Sequence, residues 1–208
     1  NIAQQGGAIY TQGNIIVQGA TNTFANNTAT GNGTDILGDG GAIYTAGTAN
    51  IRNATFTNNT AVTGDGGAIY ANNAVTVTSS TFGGENAGNK AGKNGGAIYA
   101  NNAVTVTNAS MTHNTAETGS GGAVYANGTV QVTSSTMTDN TANINGGAIY
   151  TTADITINGV ANTFTNNVAE TGDGGAIYTA GTANIRNATF TNNTAKEDGG
   201  AIYANTTA

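Results

Sequence analysis

The chain of 208 residues carries 32 glycines, no proline and no cysteine; charged residues make up only 8% of it and the net charge is −6. Five Lys and Arg in all cannot neutralise a run of nucleic-acid phosphates or hold the chain on an anionic membrane, and the lack of cysteine excludes disulfides, thiolate zinc sites and thiol catalysis. Abundant Ile, Val and Thr in regular patterns, with no proline to interrupt a ladder, indicate a folded β protein rather than a disordered one.

Read from the N-terminus, the first landmark is the pentapeptide Gly-Gly-Ala-Ile-Tyr at Gly6. It returns with its first glycine at Gly40, Gly66, Gly95, Gly121, Gly146, Gly174 and Gly199, and only the copy at Gly121 has Val for Ile. A period mostly in the twenties, without heptads or helix-period apolar spacing, marks a stacked β architecture. In the coil opening at Gly66, the first predicted strand is Ala68-Ile69-Tyr70, ended by Asn72-Asn73. The second is Val75-Thr76-Val77-Thr78, a strict period-2 alternation ended by Ser79-Ser80, and the third is Thr81-Phe82 with its neighbours. A large apolar residue follows the first glycine by 16 positions at Phe56, Phe82, Met111, Met137 and Phe190, and by 18 at Phe24 and Phe164. Length varies mainly after this residue, in segments such as GNGTDILGD and GNKAGKN, as expected of loops on a rigid stack.

Strands this short cannot bury an apolar side alone. Stacking coil on coil pairs each strand in parallel with its equivalents at ~4.8 Å and gives a rod of roughly 35–40 Å. The crossover rule for parallel strands selects the right-handed form. The predicted fold is therefore all-β: a right-handed parallel β-helix, one coil per motif copy, three short strands per coil. It forms a single repeat domain over residues 1–208, read as an excerpt of a longer chain. Ile69, Val75, Val77 and Phe82 and their counterparts fill the interior. Ala54, Ser80, Ala109, Ser135 and Ala188, two places before the Phe or Met, suit inward or corner sites. The paired glycines supply positive φ or close backbone approach, and Asn53, Asn108 and Asn187 are expected to stack their amides along the rod. A leucine-rich solenoid is set aside, because Leu37 is the only leucine.

The pairing of GGAI with FxxN, many times in one chain, resembles the repeats of chlamydial polymorphic membrane proteins and related autotransporter adhesin passengers. The second half of the motif is present at Phe24 and Asn27, Phe56 and Asn59, Phe164 and Asn167, and Phe190 and Asn193; Met stands for Phe at Met111 and Met137. After Phe82 the Asn comes one place late, at Asn86. The resemblance implies a β-helical passenger at the cell surface or outer membrane, exported through a C-terminal barrel that this stretch lacks. Attachment to a host-cell surface protein or glycan is the implied function, with no enzyme activity and no cofactor. Residues 38–61 and 172–195 are identical, as are 66–78 and 95–107, which favours a structural rod over tuned catalytic positions.

Period-2 alternation places Tyr44, Tyr70, Tyr99, Tyr125, Tyr150 and Tyr178, with Tyr10 and Tyr203, on the face opposite Ile. That makes an outward aromatic ladder, a candidate platform for sugars or a partner protein, or else a self-stacking column that binds nothing. Asp39, Asp65, Asp173 and Asp198 precede the paired glycines. Adjacent coils bring Asp39 near Asp65 and Asp173 near Asp198, so a shared Ca²⁺ is conceivable, although ordinary turn chemistry explains the same residues and the expected metal is none. His113, the sole histidine, reads as a solvated turn residue. Thr76, Thr78, Thr105 and Thr107 face water in an array that could order ice, but Gln131 and Arg52 break it. The alternatives to adhesion are a fibre subunit that associates head to tail and, more remotely, a carbohydrate-active enzyme.

Overall fold

The computed structural model describes residues 1–206 and is a parallel β-solenoid whose described residues contain strands, turns and bends but no helix. Its strands form four parallel sheets, two of eight strands and two of seven. Each turn of the coil contributes one strand to each sheet. In the coil opening at Gly66 these strands are Ile69–Ala71, Val75–Thr78, Thr81–Gly83 and Lys90–Ala91. The first three are the predicted ones, with the first moved one residue on from Ala68-Ile69-Tyr70. The fourth corrects the expected count of three per coil: it is a two-residue strand, Thr-Ala in most coils, that closes the cross-section. One inward alanine carries no alternation, so its sequence looks like a turn.

Register is strict. Ile69 lies between Ile43 and Ile98, Val77 between Ile51 and Val106, and Phe82 between Phe56 and Met111. The interior is a set of columns of like residues, with Ile69, Val77, Phe82, Met111 and Phe164 fully buried. Burying each such side chain contributes about 1.5–3 kcal/mol. The phenylalanines stack face to face where they adjoin, with centroids 4.6 Å apart for Phe56 and Phe82. The fourth wall is lined by alanines such as Ala61, Ala91 and Ala116, all buried.

The corners explain the turn residues. Two of them need a left-handed backbone, supplied by Asn, Ser, His or Asp at φ between 49 and 58°; His113 and Asp139 sit here, where Asn and Asp are the residues that best tolerate it. The paired glycines hold a third corner for two different reasons. Gly66 has φ +68°, whereas a Cβ on Gly67 would stand 2.0 Å from the carbonyl oxygen of Gly96 in the next coil.

The amide ladder lies elsewhere than expected. Asn53 and Asn187 are exposed corner residues that donate to the carbonyls of Gly19 and Gly159, and Ser79 replaces them in the next rung. The continuous ladder is formed by the Asn of FxxN. Asn59 Nδ2 donates to Asn89 Oδ1 at 2.8 Å, Asn89 to Asn114 at 2.9 Å, Asn114 to Asn140 at 3.0 Å, and Asn167 to Asn193 at 2.9 Å. Each amide also donates back to the Phe or Met carbonyl of the coil before, as Asn114 does to Phe82 at 3.0 Å. Its oxygen takes a second bond from the backbone N–H of the preceding ladder Asn, Asn89 to Asn114 at 3.1 Å. After Phe82 the rung is filled by Asn89, not Asn86; the chain loops out after Gly83, and Asn86 sits exposed in that loop at φ 57°.

Candidate functional site

The strands Ile43–Thr45, Ile69–Ala71, Ile98–Ala100 and their equivalents bury their first and third residues and turn the middle tyrosine outward. All eight tyrosines register on one another. Successive ring centroids lie 4.7 to 5.1 Å apart with interplanar angles of 3 to 14°. That separation is the rise of the sheet itself, so the rings stack along the rod axis. Each inner ring therefore has both faces covered by its neighbours. What the ladder offers a partner is a row of ring edges and hydroxyls, not open aromatic faces on which a sugar could stack.

Two stretches of the ladder differ. Two places on from Tyr70, Tyr99 and Tyr125 stand Asn72, Asn101 and Asn127, and Asn72 Nδ2 also donates to the Tyr44 hydroxyl of the coil before at 3.3 Å. Tyr70 donates to Asn72 Oδ1 and Tyr99 to Asn101 Oδ1, both at 3.1 Å, while Asn127 Nδ2 donates to the Tyr99 hydroxyl and to Asn101. These hydroxyls are engaged within the protein. Two places on from Tyr150 and Tyr178 the residues become Thr152 and Ala180, and the hydroxyls of Tyr125, Tyr150 and Tyr178 bond to no protein group among the described residues. Burial raises the phenol pKa along the ladder, to about 12 at Tyr125, where the neighbouring Tyr150 and Tyr99 add to it. Tyr44, Tyr70, Tyr99, Tyr150 and Tyr178 are shifted in the same direction, again chiefly by burial.

The acidic candidates come together as expected but serve the backbone. Asp39 Oδ1 accepts the Asp65 N–H at 2.9 Å, Asp65 Oδ1 accepts the Asn94 N–H at 2.8 Å, and Asp173 Oδ1 accepts the Asp198 N–H at 2.8 Å. They form one column with Asn94 and Asn145, whose side chains do the same. Burial raises the pKa of Asp39 and Asp65 despite these bonds. Among the described residues no three His, Cys, Asp or Glu side chains group as metal ligands. His113 lies 3.8 Å from Asp139 at a partly exposed corner.

The motif residues Phe24, Phe56, Phe164 and Phe190 belong to the apolar column, and Asn27, Asn59, Asn167 and Asn193 to the ladder. Fold and repeat together define a β-solenoid repeat protein. Four stretches, residues 53–72, 134–152, 163–180 and 187–205, match the Chlamydia polymorphic membrane protein repeat, so the chain carries repeats like those of chlamydial polymorphic membrane proteins. Each matched stretch contains the Phe or Met, the ladder Asn and the paired glycines, and omits the Val-Thr strand. No curated protein and no solved structure matches the chain. Repeats of this type imply association with the outer membrane or cell surface.

Proposed function

We propose that the chain is a segment of an adhesin passenger, outside the cell, that attaches bacteria to a host surface protein or glycan through its tyrosine face. The observation that carries this reading is the unbroken outward ladder, whose hydroxyls from Tyr125 to Tyr178 have no protein partner among the described residues. A row of phenols at ~4.8 Å offers repeated hydrogen bonding, so a ligand with repeated polar groups gains by multivalency rather than from one deep pocket. The family resemblance supports the surface setting. A rod presenting equivalent contacts on successive coils suits binding better than catalysis, and no cofactor enters the reading.

The test uses the purified rod on beads, applied to cultured epithelial cells. The triple variant Tyr125→Phe, Tyr150→Phe and Tyr178→Phe keeps the ring stack and removes only hydroxyls. Adhesion by the parent chain and its loss in the variant, with unchanged thermal melting, is the expected result. Equal adhesion by both, or none by the parent, overturns the assignment.

A further inference from the structure

A second face carries a different chemistry. The strands that bury Phe and Met, such as Thr136–Thr138, Asn162–Thr165 and Ala188–Thr191, turn threonines outward on both sides of the buried aromatic or methionine. Register makes these into two columns: Thr136, Thr163 and Thr189 in one, Thr138, Thr165 and Thr191 in the other. The rung before continues them with Ser110 and Thr112. Four consecutive coils therefore present a hydroxyl grid, about 4.8 Å between strands and about 6.6 Å along each strand. The first column runs on through Thr81 and Thr55 to Thr23, while the second is interrupted at Gly83, where the chain loops out. This array differs from the one expected on the Val-Thr strands, where Gln131 pairs with Thr105 and Arg52 with Thr78.

Three further properties set this face apart. No strand of the sheet contains a charged residue. Apart from the 3.3 Å contact between Ser110 and Thr112, the grid hydroxyls have no protein partner among the described residues. Threonines that end the tyrosine strands instead spend theirs on backbone carbonyls, as Thr45 does on Gly13, Thr151 on Gly128 and Thr179 on Ala153. The Val-Thr strands share the unpartnered state, among the described residues, at Thr76 and Thr105 but not the lack of charge, since Arg52 stands in that sheet. Finally, the face is backed by the stacked column of Phe and Met, and β-branched threonines in a sheet have little χ1 freedom to lose.

We propose that this threonine face binds ice. The spacing between strands lies close to the shorter oxygen repeat on the prism plane of hexagonal ice, and the two columns present that repeat side by side. Hydroxyls at those points anchor lattice waters, and the intervening methyl groups hold further water in ordered cages. A fixed, uncharged grid pays little entropy to do this, whereas a charged side chain would impose its own hydration shell. The ligand is crystalline water, and the site is independent of the tyrosine face.

The experiment measures thermal hysteresis and ice-crystal shape in a nanolitre osmometer, for the full chain, for Thr163→Lys on this face and for Thr105→Lys on the Val-Thr face. Circular dichroism confirms that each variant is folded. The parent and Thr105→Lys should separate freezing from melting temperature and facet the crystals, and Thr163→Lys should lose both effects. Unshaped crystals without hysteresis from the folded parent overturn the proposal, as does hysteresis that Thr163→Lys leaves intact.

Discussion

Asn114 shows how much a single residue carries in this coil. Its amide donates to Asn140 and to the Phe82 carbonyl, and its oxygen accepts two bonds from Asn89, all in a fully buried position. The substitution Asn114→Ala takes the acceptor from the Asn89 N–H and from one hydrogen of its Nδ2, and removes the amide bond to the Phe82 carbonyl. An unsatisfied buried polar group costs about 1–3 kcal/mol, so the loss should be at least about 2 kcal/mol, read as a fall in the urea midpoint. An unchanged midpoint would mean that the ladder contributes nothing. The importance of FxxN was legible in the sequence, but its role was not. Spacing could mark the Asn as fixed, whereas only the coil path after Gly83 shows Asn89 filling the rung that Asn86 resembles by position. The exposed corner residues Asn53, Asn108 and Asn187 drew attention because they share a spacing. They share it because the corner requires φ near 50°, a local demand that stacking amides would have mimicked.

At the scale of the strand, alternation gave the right faces. Ile inward and Tyr outward follow from period 2, and Val75, Val77 and Phe82 are buried as that pattern requires. The two-residue strand escaped because one alanine has no period. Direction of ring stacking also lies beyond alternation; it depends on register between coils 25 or more residues apart. That register sets a pH response. Burial holds the ladder phenols above their ordinary pKa of 10, with Tyr125 at about 12, so the folded state binds protons that the unfolded chain has released. Stability is then fully present below pH 10 and falls as pH rises through the folded values. The thermal midpoint should hold through mild alkali and drop steeply toward pH 12, and a flat profile across that interval would contradict the burial of these rings. Asp39 and Asp65, also raised by burial, act with the same sign at acid pH: their contribution is complete below 3.8 and is lost as pH rises through their folded values.

Across the whole molecule, one device recurs: each coil hands its hydrogen bonds and apolar columns to the next, so the rod has no core apart from its repetition. The family repeat covers the buried Phe or Met, the ladder and the glycine corner. The Val-Thr strand stays outside it, and there the outward residues change from Asn50 to Thr76 to Gln131 along the rod. Distance along this axis tests the stacking directly, because the chain has no cysteine of its own and labels can be placed at will. Nitroxides attached through Thr55→Cys paired with Thr136→Cys, and through Thr55→Cys paired with Thr189→Cys, lie three and five rungs apart. Double electron–electron resonance should give narrow backbone separations of about 14 Å and about 24 Å. Distances that are broad, or that fail to grow in proportion to the number of coils between the labels, would contradict in-register stacking.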